Sequence, residues 1–345
     1  MMTLEWRNAT RIYGSKKAVD QMNLEVAQGE FLVLIGPSGC GKTTSLKMIN
    51  RLVNLSTGSV LVDGKNVRGI PPTELRRHMG YVIQQVGLFP HMNVAENVAS
   101  VPRLLKWDKQ RIAARVDELL ELVGLPTKDY ADAWPSRLSG GEAQRVGVAR
   151  ALAADPPILL MDEPFGAVDP LTREVLQREF LRIQSSLEKT VVFVTHDLDE
   201  AIRLGDRIAV MNEGRLVAVA PPGELLLNAD PFIRDFTGDD RALRRLARLN
   251  VGEAIDFVPE KKAGKTPQSG TVRTDATLKE ALSIMLEVGE SALRAVSPAG
   301  HPAGHLTVEK LLKSSAGESE HQSIDDGEPA SSEELPKSRS GVRQS

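Results

Sequence analysis

The chain has 345 residues, more than one hydrophobic core usually supports, so we expect a large domain followed by at least one smaller unit. Hydrophobic residues make up 41% and charged residues 26%, a balance that excludes a wholly disordered chain. The net charge of −3 argues against non-specific nucleic-acid binding, and a single cysteine, Cys40, excludes an intrachain disulfide.

The first residues lack the apolar core of a signal peptide, and no apolar run approaches the roughly 18 residues that a membrane-spanning helix needs. Together with the lone cysteine, this predicts a soluble chain of a reducing compartment. A role at a membrane would therefore require docking on another subunit.

Short apolar runs alternate with helical patterns over the first part of the chain, which predicts an α/β domain with a largely parallel sheet. Three runs lack polar alternation, as buried central strands do: 31–35 (FLVLI), 158–161 (ILLM) and 191–195 (VVFVT). Between the first two, residues 108–124 predict a helical insertion. Its apolar residues at helical spacing are Ile112, Val116, Leu119, Leu120 and Val123.

A second unit is predicted where charged and small residues replace this alternation. We place the first domain at 1–236, a linker at 237–265 and a small domain at 266–313. Within the small domain the pattern is strand, helix, strand, strand, helix. Large apolar residues almost vanish from 314 to 345, which predicts a disordered tail.

The main helix of the small domain has a clear start and end. Thr277 and Glu280 form a capping box, and Gly289 ends the helix. One apolar face is predicted from the spacing of Leu278, Ala281, Leu282, Met285 and Leu286.

A glycine-rich loop of the form G-x-x-x-x-G-K-[ST] follows the first apolar run. Its glycines let backbone amides point at phosphate oxygens, and a helix beginning near Lys42 adds the positive end of its dipole. Lys42 would neutralise the β and γ phosphates of ATP, and the Thr43 hydroxyl would bind Mg²⁺. The predicted nucleotide-binding residues here are Gly36, Pro37, Ser38, Gly39, Cys40, Gly41, Lys42, Thr43 and Thr44.

Two acidic residues, Asp162 and Glu163, end the second apolar run. An Asp at the carboxyl end of a strand can hold Mg²⁺ through water, and the next carboxylate can polarise the attacking water. Paired acids at strand ends are elsewhere often solvated or capping groups, but the phosphate loop favours catalysis here. We predict Asp162 as a metal ligand and Glu163 as the general base.

The segment LSGGE, residues 138–142, precedes a predicted helix and resembles the signature of the ABC ATPase family. In that family it binds the γ-phosphate held by the opposite protomer, so the resemblance implies that two chains sandwich two nucleotides. The Ser139 hydroxyl, the amides of Gly140 and Gly141 and the helix dipole suit an anion. Ser139 and Glu142 also form a capping box, and the two interpretations are compatible.

Glu142 departs from the family, which commonly has Gln at this position. A carboxylate aimed at the γ-phosphate would be repulsive. We therefore predict that Glu142, although within the nucleotide-binding segment, faces the terminus of its helix.

Other ABC motifs follow in the family's order. By resemblance, Tyr13 stacks on adenine, and Asp169 contacts the opposite protomer. His196 would hold the γ-phosphate, while Gln84 would contact the metal and the attacking water. Gln85 is the rival for the role of Gln84, and simple packing is the alternative for Tyr13.

The resemblance covers about residues 3–236 and implies a P-loop NTPase of the ABC type, with a RecA-like α/β core and a helical subdomain. ABC ATPases mostly energise transport, but some act on DNA or ribosomes. That second class tends to carry a long coiled-coil insertion or two cassettes in one chain, and this sequence has neither. We therefore expect no nucleic-acid partner.

Residues 80–107 (GYVIQQVGLFPHMNVAENVASVPRLLKW) resemble the ATP-binding subunits of importers for glycine betaine and related quaternary-ammonium osmoprotectants. The partners implied are a second copy of the chain, integral membrane permease subunits and an extracytoplasmic solute-binding protein. The chain would be peripheral, at the cytoplasmic face of the plasma membrane. The alternatives are an importer of another small solute, such as an amino acid or a polyamine, and more distantly a non-transport ABC ATPase.

The small domain resembles one CBS domain, an α+β module that often follows the ATPase in these importers. CBS modules normally work in pairs that bind adenine nucleotides between repeats. Only one repeat is present, and residues 295–298 lack the acidic residues usual there. The single copy would pair across the homodimer or have lost its ligand, so regulatory and purely structural roles both stay open.

Overall fold

The structure, a computed structural model, describes residues 4–83, 87–166, 168, 173, 177, 180–181, 189–255 and 270–316. Gln84, Gln85 and Asp169 lie outside these residues, so their roles stay predictions. Most of the predicted tail, from residue 317 onward, also lies outside them. Within the described parts of the chain, no helix combines the length and the apolar character needed to cross a membrane.

The regular elements are as follows. The strands are β1 (Leu4–Tyr13), β2 (Lys16–Val26), β3 (Phe31–Ile35), β4 (Thr57–Val62), β5 (Lys65–Asn66), β6 (Met79–Val82), β7 (Ile158–Asp162), β8 (Thr190–Val194), β9 (Arg207–Asn212), β10 (Arg215–Ala220), β11 (Thr271–Arg273), β12 (Ala292–Val296) and β13 (Pro302–Thr307). The helices are α1 (Lys42–Ile49), α2 (Pro72–Arg77), α3 (Val94–Leu104), α4 (Lys109–Leu122), α5 (Thr127–Tyr130), α6 (Gly140–Leu152), α7 (Leu198–Leu204), α8 (Pro222–Leu225), α9 (Pro231–Thr237), α10 (Arg241–Leu246), α11 (Val251–Ala254), α12 (Leu278–Val288) and α13 (Val308–Ala316).

A six-stranded sheet in the order β10-β9-β3-β8-β7-β6 forms the centre of the first unit. The strands from β9 to β6 pair in parallel, and β10 joins the edge antiparallel. Every residue of β3, β7 and β8 is buried, which explains why these runs are apolar without alternation. The three predicted strands are confirmed, with β8 beginning one residue earlier, at Thr190.

A four-stranded antiparallel sheet, β2-β1-β4-β5, is a second layer. Its inward residues, among them Trp6 and Val60, share one core with Leu32 and Leu34 of β3 and with helix α1. The central sheet is therefore covered on one face by this antiparallel layer and α1, which fixes the position of the loop between β3 and α1.

The opposite face of the central sheet packs against helices α3, α4 and α6. The residues predicted at helical spacing lie on the inner side of α4: Val116, Leu119 and Leu120 are buried, as is Val123 directly after the helix, and Ile112 is packed partly buried against the same core. The predicted helical insertion is thus confirmed. Helix α6 packs against α3 and α4 of this region, and this packing positions the segment at residues 138–142.

The C-terminal unit has a three-stranded sheet, β11-β12-β13, with α12 and α13, in the predicted order of elements. The capping box of Thr277 with Glu280 is present, and Gly289 ends α12 with a left-handed φ of 70°. Leu278, Ala281 and Met285 of the predicted face are buried, but Leu286 is 76% exposed. At about 100° per residue, Leu286 lies at the edge of the stripe, which accounts for the difference.

The predicted linker, 237–265, is structured over part of its length. It contains α10 and α11, and Leu246 and Val251 belong to the core of the C-terminal unit. The backbone N–H of Val251 donates to the carbonyl of Ala276 at 2.9 Å, which ties the segment to that unit. Helix α13 also continues to Ala316 and so includes the first three residues of the predicted tail.

Candidate functional site

The glycine-rich loop turns between β3 and α1 with a backbone that requires glycine. Gly36 has a φ of 150° and Gly41 a φ of 113°. A Cβ atom at Gly36 would lie 2.1 Å from the carbonyl oxygen of Met211, and one at Gly41 would lie 2.3 Å from that of Ala18. Both steric crowding and conformation therefore exclude larger residues.

Lys42 is folded onto this loop. Its Nζ donates hydrogen bonds to the carbonyl oxygens of Gly36 at 2.7 Å and Pro37 at 3.0 Å, and the residue is only 7% exposed. The Cys40 thiol is buried 3.8 Å from the same Nζ. The ammonium group is thus held within the loop by its own carbonyl oxygens.

Thr43 and Asp162 come from different elements and meet directly. The Thr43 hydroxyl donates a 2.7 Å hydrogen bond to Oδ1 of Asp162, although 119 residues separate them. Lys47 lies 3.7 Å from the other carboxylate oxygen. A hydroxyl and a carboxylate are hard oxygen ligands of the kind that Mg²⁺ prefers, so these two residues fit the predicted metal site.

Burial raises the pKa of the Asp162 carboxyl, while the hydrogen bond from Thr43 and the charge of Lys47 oppose that rise. A carboxyl whose folded pKa is raised destabilises the fold once it ionises, so the penalty is absent below the unfolded pKa and present above the folded one. We expect Asp162→Asn to raise the melting temperature at pH 7 to 8 and to remove most hydrolysis. Calorimetry from pH 4 to 8 should show a smaller fall in stability with rising pH for the variant; equal slopes would contradict the account.

Glu163 occupies a strained position directly after β7. Its φ is 48°, and its backbone N–H donates to the carbonyl oxygen of Val194 at the end of β8. Its Oε2 lies 3.3 Å from Nδ1 of His196, which follows the same strand. The predicted base and the predicted phosphate-binding histidine are therefore neighbours. They lie at the carboxyl ends of the parallel strands, where the phosphate loop also begins.

Ser139 caps helix α6, and Glu142 completes the capping box. The backbone N–H of Ser139 donates to Glu142 Oε2 at 2.7 Å, and the Glu142 N–H donates to the Ser139 hydroxyl at 3.3 Å. The Tyr130 hydroxyl donates to the other carboxylate oxygen at 2.7 Å. These hydrogen bonds lower the pKa of the Glu142 carboxyl, and the one from Tyr130 has the largest effect. Glu142 thus faces the helix terminus, as its repulsion from phosphate predicts.

Gln can accept from the Ser139 N–H through its amide oxygen and donate to the Tyr130 hydroxyl through its amide nitrogen. We therefore expect Glu142→Gln to change ATP turnover by less than about tenfold, which is 1.4 kcal/mol in activation free energy. Glu142→Ala, which removes both acceptors, should lower the free energy of unfolding by about 0.5–2 kcal/mol. Steady-state hydrolysis and urea unfolding of both variants check this. A larger loss of turnover in the Gln variant would show that the carboxylate acts on the nucleotide.

Tyr13 ends β1 and is 46% exposed, as a side chain that stacks on a base must be. The Arg11 guanidinium lies 4.2 Å from its ring centroid in a cation–π contact. This contact holds the ring in place, and stacking on adenine stays a prediction.

A buried network behind His196 escaped the sequence analysis. The Thr195 hydroxyl donates to Glu200 Oε2 at 2.6 Å, and the Gln177 amide donates to the other oxygen at 3.0 Å. Burial raises the pKa of Glu200, whereas these hydrogen bonds lower it. Lys47 was missed as well, although it lies four residues after Thr43 and so on the same face of α1. The acids that closely follow His196 were the available signal for the network.

Comparisons with known proteins agree with this geometry. The family model described as ABC transporter matches residues 19–166. The osmoprotectant import ATP-binding protein OsmV of Salmonella typhimurium is 50% identical over 291 residues, covering 84% of this chain and 74% of that protein. The choline transport ATP-binding protein OpuBA of Bacillus subtilis is 48% identical over 311 residues, covering 90% and 79%.

Among solved structures, the dimeric post-hydrolysis state of the ATP-binding cassette MJ0796 bound to ADP and Pi matches with a TM-score of 0.58 and 33% identity. The match covers 63% of this chain and 98% of that chain. The fold class predicted from the sequence, an ABC-type P-loop NTPase, is confirmed. The chain therefore belongs to the ATP-binding proteins of ABC transporters, which are ATPases coupled to transport.

Proposed function

We propose that this ATPase drives import of glycine betaine or a related quaternary-ammonium osmoprotectant. The observation that carries the proposal is the 50% identity to an osmoprotectant import subunit over 84% of the chain. The 48% identity to a choline transport subunit points to the same class of quaternary-ammonium solute. Import of another small solute, such as an amino acid or a polyamine, is the alternative.

In the proposed mechanism, the phosphate loop binds ATP and Lys42 exchanges its carbonyl partners for β and γ phosphate oxygens. Thr43 and Asp162 would hold Mg²⁺, which neutralises phosphate charge when bound. Glu163 accepts a proton from the attacking water, and His196, 3.3 Å from Glu163, holds the γ-phosphate. The strained φ of Glu163 keeps its carboxylate at the carboxyl ends of the parallel strands.

The reaction centre is proposed to be completed by a second copy. Ser139, Gly140 and Gly141 begin a helix, where a hydroxyl, free amides and the dipole favour an anion. In the proposed dimer these groups bind the γ-phosphate held by the partner, as the dimeric state of the similar MJ0796 cassette with ADP and Pi supports. Two chains would thus enclose two nucleotides.

The coupled assembly would lie at the cytoplasmic face of the membrane. Its proposed partners are integral permease subunits and, through them, an extracytoplasmic solute-binding protein that contacts the solute. In this proposed assembly the permease supplies the channel.

A tagged chromosomal copy tests this proposal. We expect it to copurify with an integral membrane permease, and cells carrying it to take up labelled glycine betaine. A tagged Glu163→Gln copy should retain the permease but lose uptake. Capture without any integral membrane protein would refute the transport role, and dependence of spermidine uptake instead of glycine betaine uptake would favour the alternative solute.

The C-terminal unit is proposed to be a single CBS-like module that regulates the ATPase or stabilises its dimer. Because Leu246 and Val251 belong to its core, a clean truncation must remove residues 241–345 rather than begin in the linker. If the truncated importer still responds normally to osmotic strength and to adenine nucleotide, the regulatory role is wrong.

A further inference from the structure

A cavity of about 650 Å³ separates the helix after His196 from the C-terminal unit. Helix α7 forms one wall, the end of α10 and the residues after it form the second, and Lys279 at the start of α12 contributes from the third side. Its volume falls within the usual range of about 300–1,000 Å³ for ligand sites.

The lining is charged and has an excess of basic groups. The acidic side chains are Asp197, Asp199 and Glu200, and the basic ones are Arg173, Arg203, Arg244, Arg248 and Lys279. The carboxylates already have basic partners: Arg173 lies 3.6 Å from Asp197 and 3.9 Å from Glu200, and Arg244 pairs with Asp199. These ion pairs leave Arg248 and Lys279 without a lining carboxylate to balance them.

Two guanidinium N–H groups of the cavity lining make no hydrogen bond within the part of the chain that the structure describes. The Nε–H groups of Arg173 and Arg244 are buried and make no hydrogen bond to the described residues, although Arg173 Nε is the atom in the 3.9 Å ion pair with Glu200. The Arg248 guanidinium donates to the main-chain carbonyl oxygens of Ile202 and Gly205. Its burial lowers the pKa of this group even though Asp206 and Glu253 lie near it. Buried N–H groups without acceptors cost free energy, which an anionic ligand would recover.

Apolar side chains contribute little, since Ile202 and Ala247 are the apolar residues of the described lining. A hydrophobic ligand therefore has no matching surface, whereas phosphate oxygens match guanidinium and ammonium groups. We propose that this cavity binds a phosphate-bearing anion of nucleotide or oligophosphate size, at a site separate from the phosphate loop.

Such a ligand would connect the C-terminal unit to the catalytic histidine. Asp197, the residue after His196, caps α7 by accepting hydrogen bonds from the N–H groups of Asp199 and Glu200. Arg244 of α10 donates to Asp199 at the start of the same helix, and Arg248, two residues after α10, donates to the carbonyl oxygen of Ile202 near its end. Phosphate bound between them and Lys279 would fix α7, and with it His196, relative to the C-terminal unit.

The test uses the full chain carrying Lys42→Ala, a substitution expected to weaken phosphate binding at the phosphate loop. Titration calorimetry with inorganic tripolyphosphate should show one site per chain, and Lys279→Glu added to this background should weaken it at least tenfold. Lys279 is exposed at a helix start that favours Glu, so folding should be unaffected. Lys65→Glu, the same charge change on exposed β5, is the matched control and should leave binding unaltered.

A parallel titration with ADP separates the two sources of phosphate. Tighter binding of ADP than of tripolyphosphate assigns the site to a nucleotide, and the reverse assigns it to an oligophosphate; either result requires sensitivity to Lys279→Glu. Absence of binding to the Lys42→Ala chain, or binding that Lys279→Glu leaves unchanged, would overturn the proposal.

Discussion

Replacing Glu163 by Gln is expected to lower ATP turnover by about 10²- to 10⁴-fold, the contribution of a positioned general base. The amide keeps the size of the side chain but cannot take the proton of the attacking water. Binding should survive, because Lys42, Thr43 and Asp162 are unchanged. Steady-state hydrolysis, together with size-exclusion chromatography in ATP, measures both effects, and we expect the variant to accumulate as an ATP-bound dimer.

Glu213 offers a matched control for this variant. It is also a glutamate with a left-handed backbone, with a φ of 46°, but it lies in the exposed turn between β9 and β10. Glu213→Gln should therefore hydrolyse ATP like the unaltered chain. Near-normal turnover by Glu163→Gln would refute the assignment of the base.

Replacing Lys42 by Ala is expected to weaken ATP binding by about 100-fold, since charge-assisted hydrogen bonds to phosphate contribute about 1.5–3 kcal/mol each. The Lys42 ammonium is buried in the loop and held by two carbonyls, so no other side chain can take its place without moving the backbone. Equilibrium binding of a fluorescent ATP analogue measures the loss.

Thermal unfolding of the nucleotide-free Lys42→Ala protein distinguishes lost binding from lost folding, because the fold loses only the hydrogen bonds of Lys42 Nζ within the loop. Lys65→Ala removes a lysine from exposed β5 and should leave both binding and stability unaltered. An ATP affinity of Lys42→Ala within about threefold of the original would contradict the role of the loop.

Much of the site could be predicted because each part depends on local chemistry. The phosphate loop needs glycine at Gly36 and Gly41 for reasons of backbone conformation, and the carboxyl ends of β7 and β8 bring Glu163 and His196 together through parallel pairing. The capping role of Glu142 followed from its spacing to Ser139 and from charge repulsion. Each of these features requires particular residue types at a particular spacing, so it can be recognised in the sequence.

Features that depend on tertiary packing were not predictable. The antiparallel layer of β1, β2, β4 and β5 was missed, because bulges and register shifts between β1 and β2 blur its alternation. The sequence predicts a linker at 237–265, whereas the structure has the short helices α10 and α11 there, whose stability comes from packing Leu246 and Val251 into the C-terminal core. The ion pair between Arg244 and Asp199 of α7 likewise joins residues far apart in sequence.

We propose that ATP is hydrolysed only between two copies of this chain. Specific ATPase activity is measured over a range of protein concentrations, with sedimentation velocity under the same conditions. We predict that activity per chain rises with the dimer fraction and that Ser139→Arg abolishes both. Full activity per chain from a species that sediments as a monomer would contradict the claim.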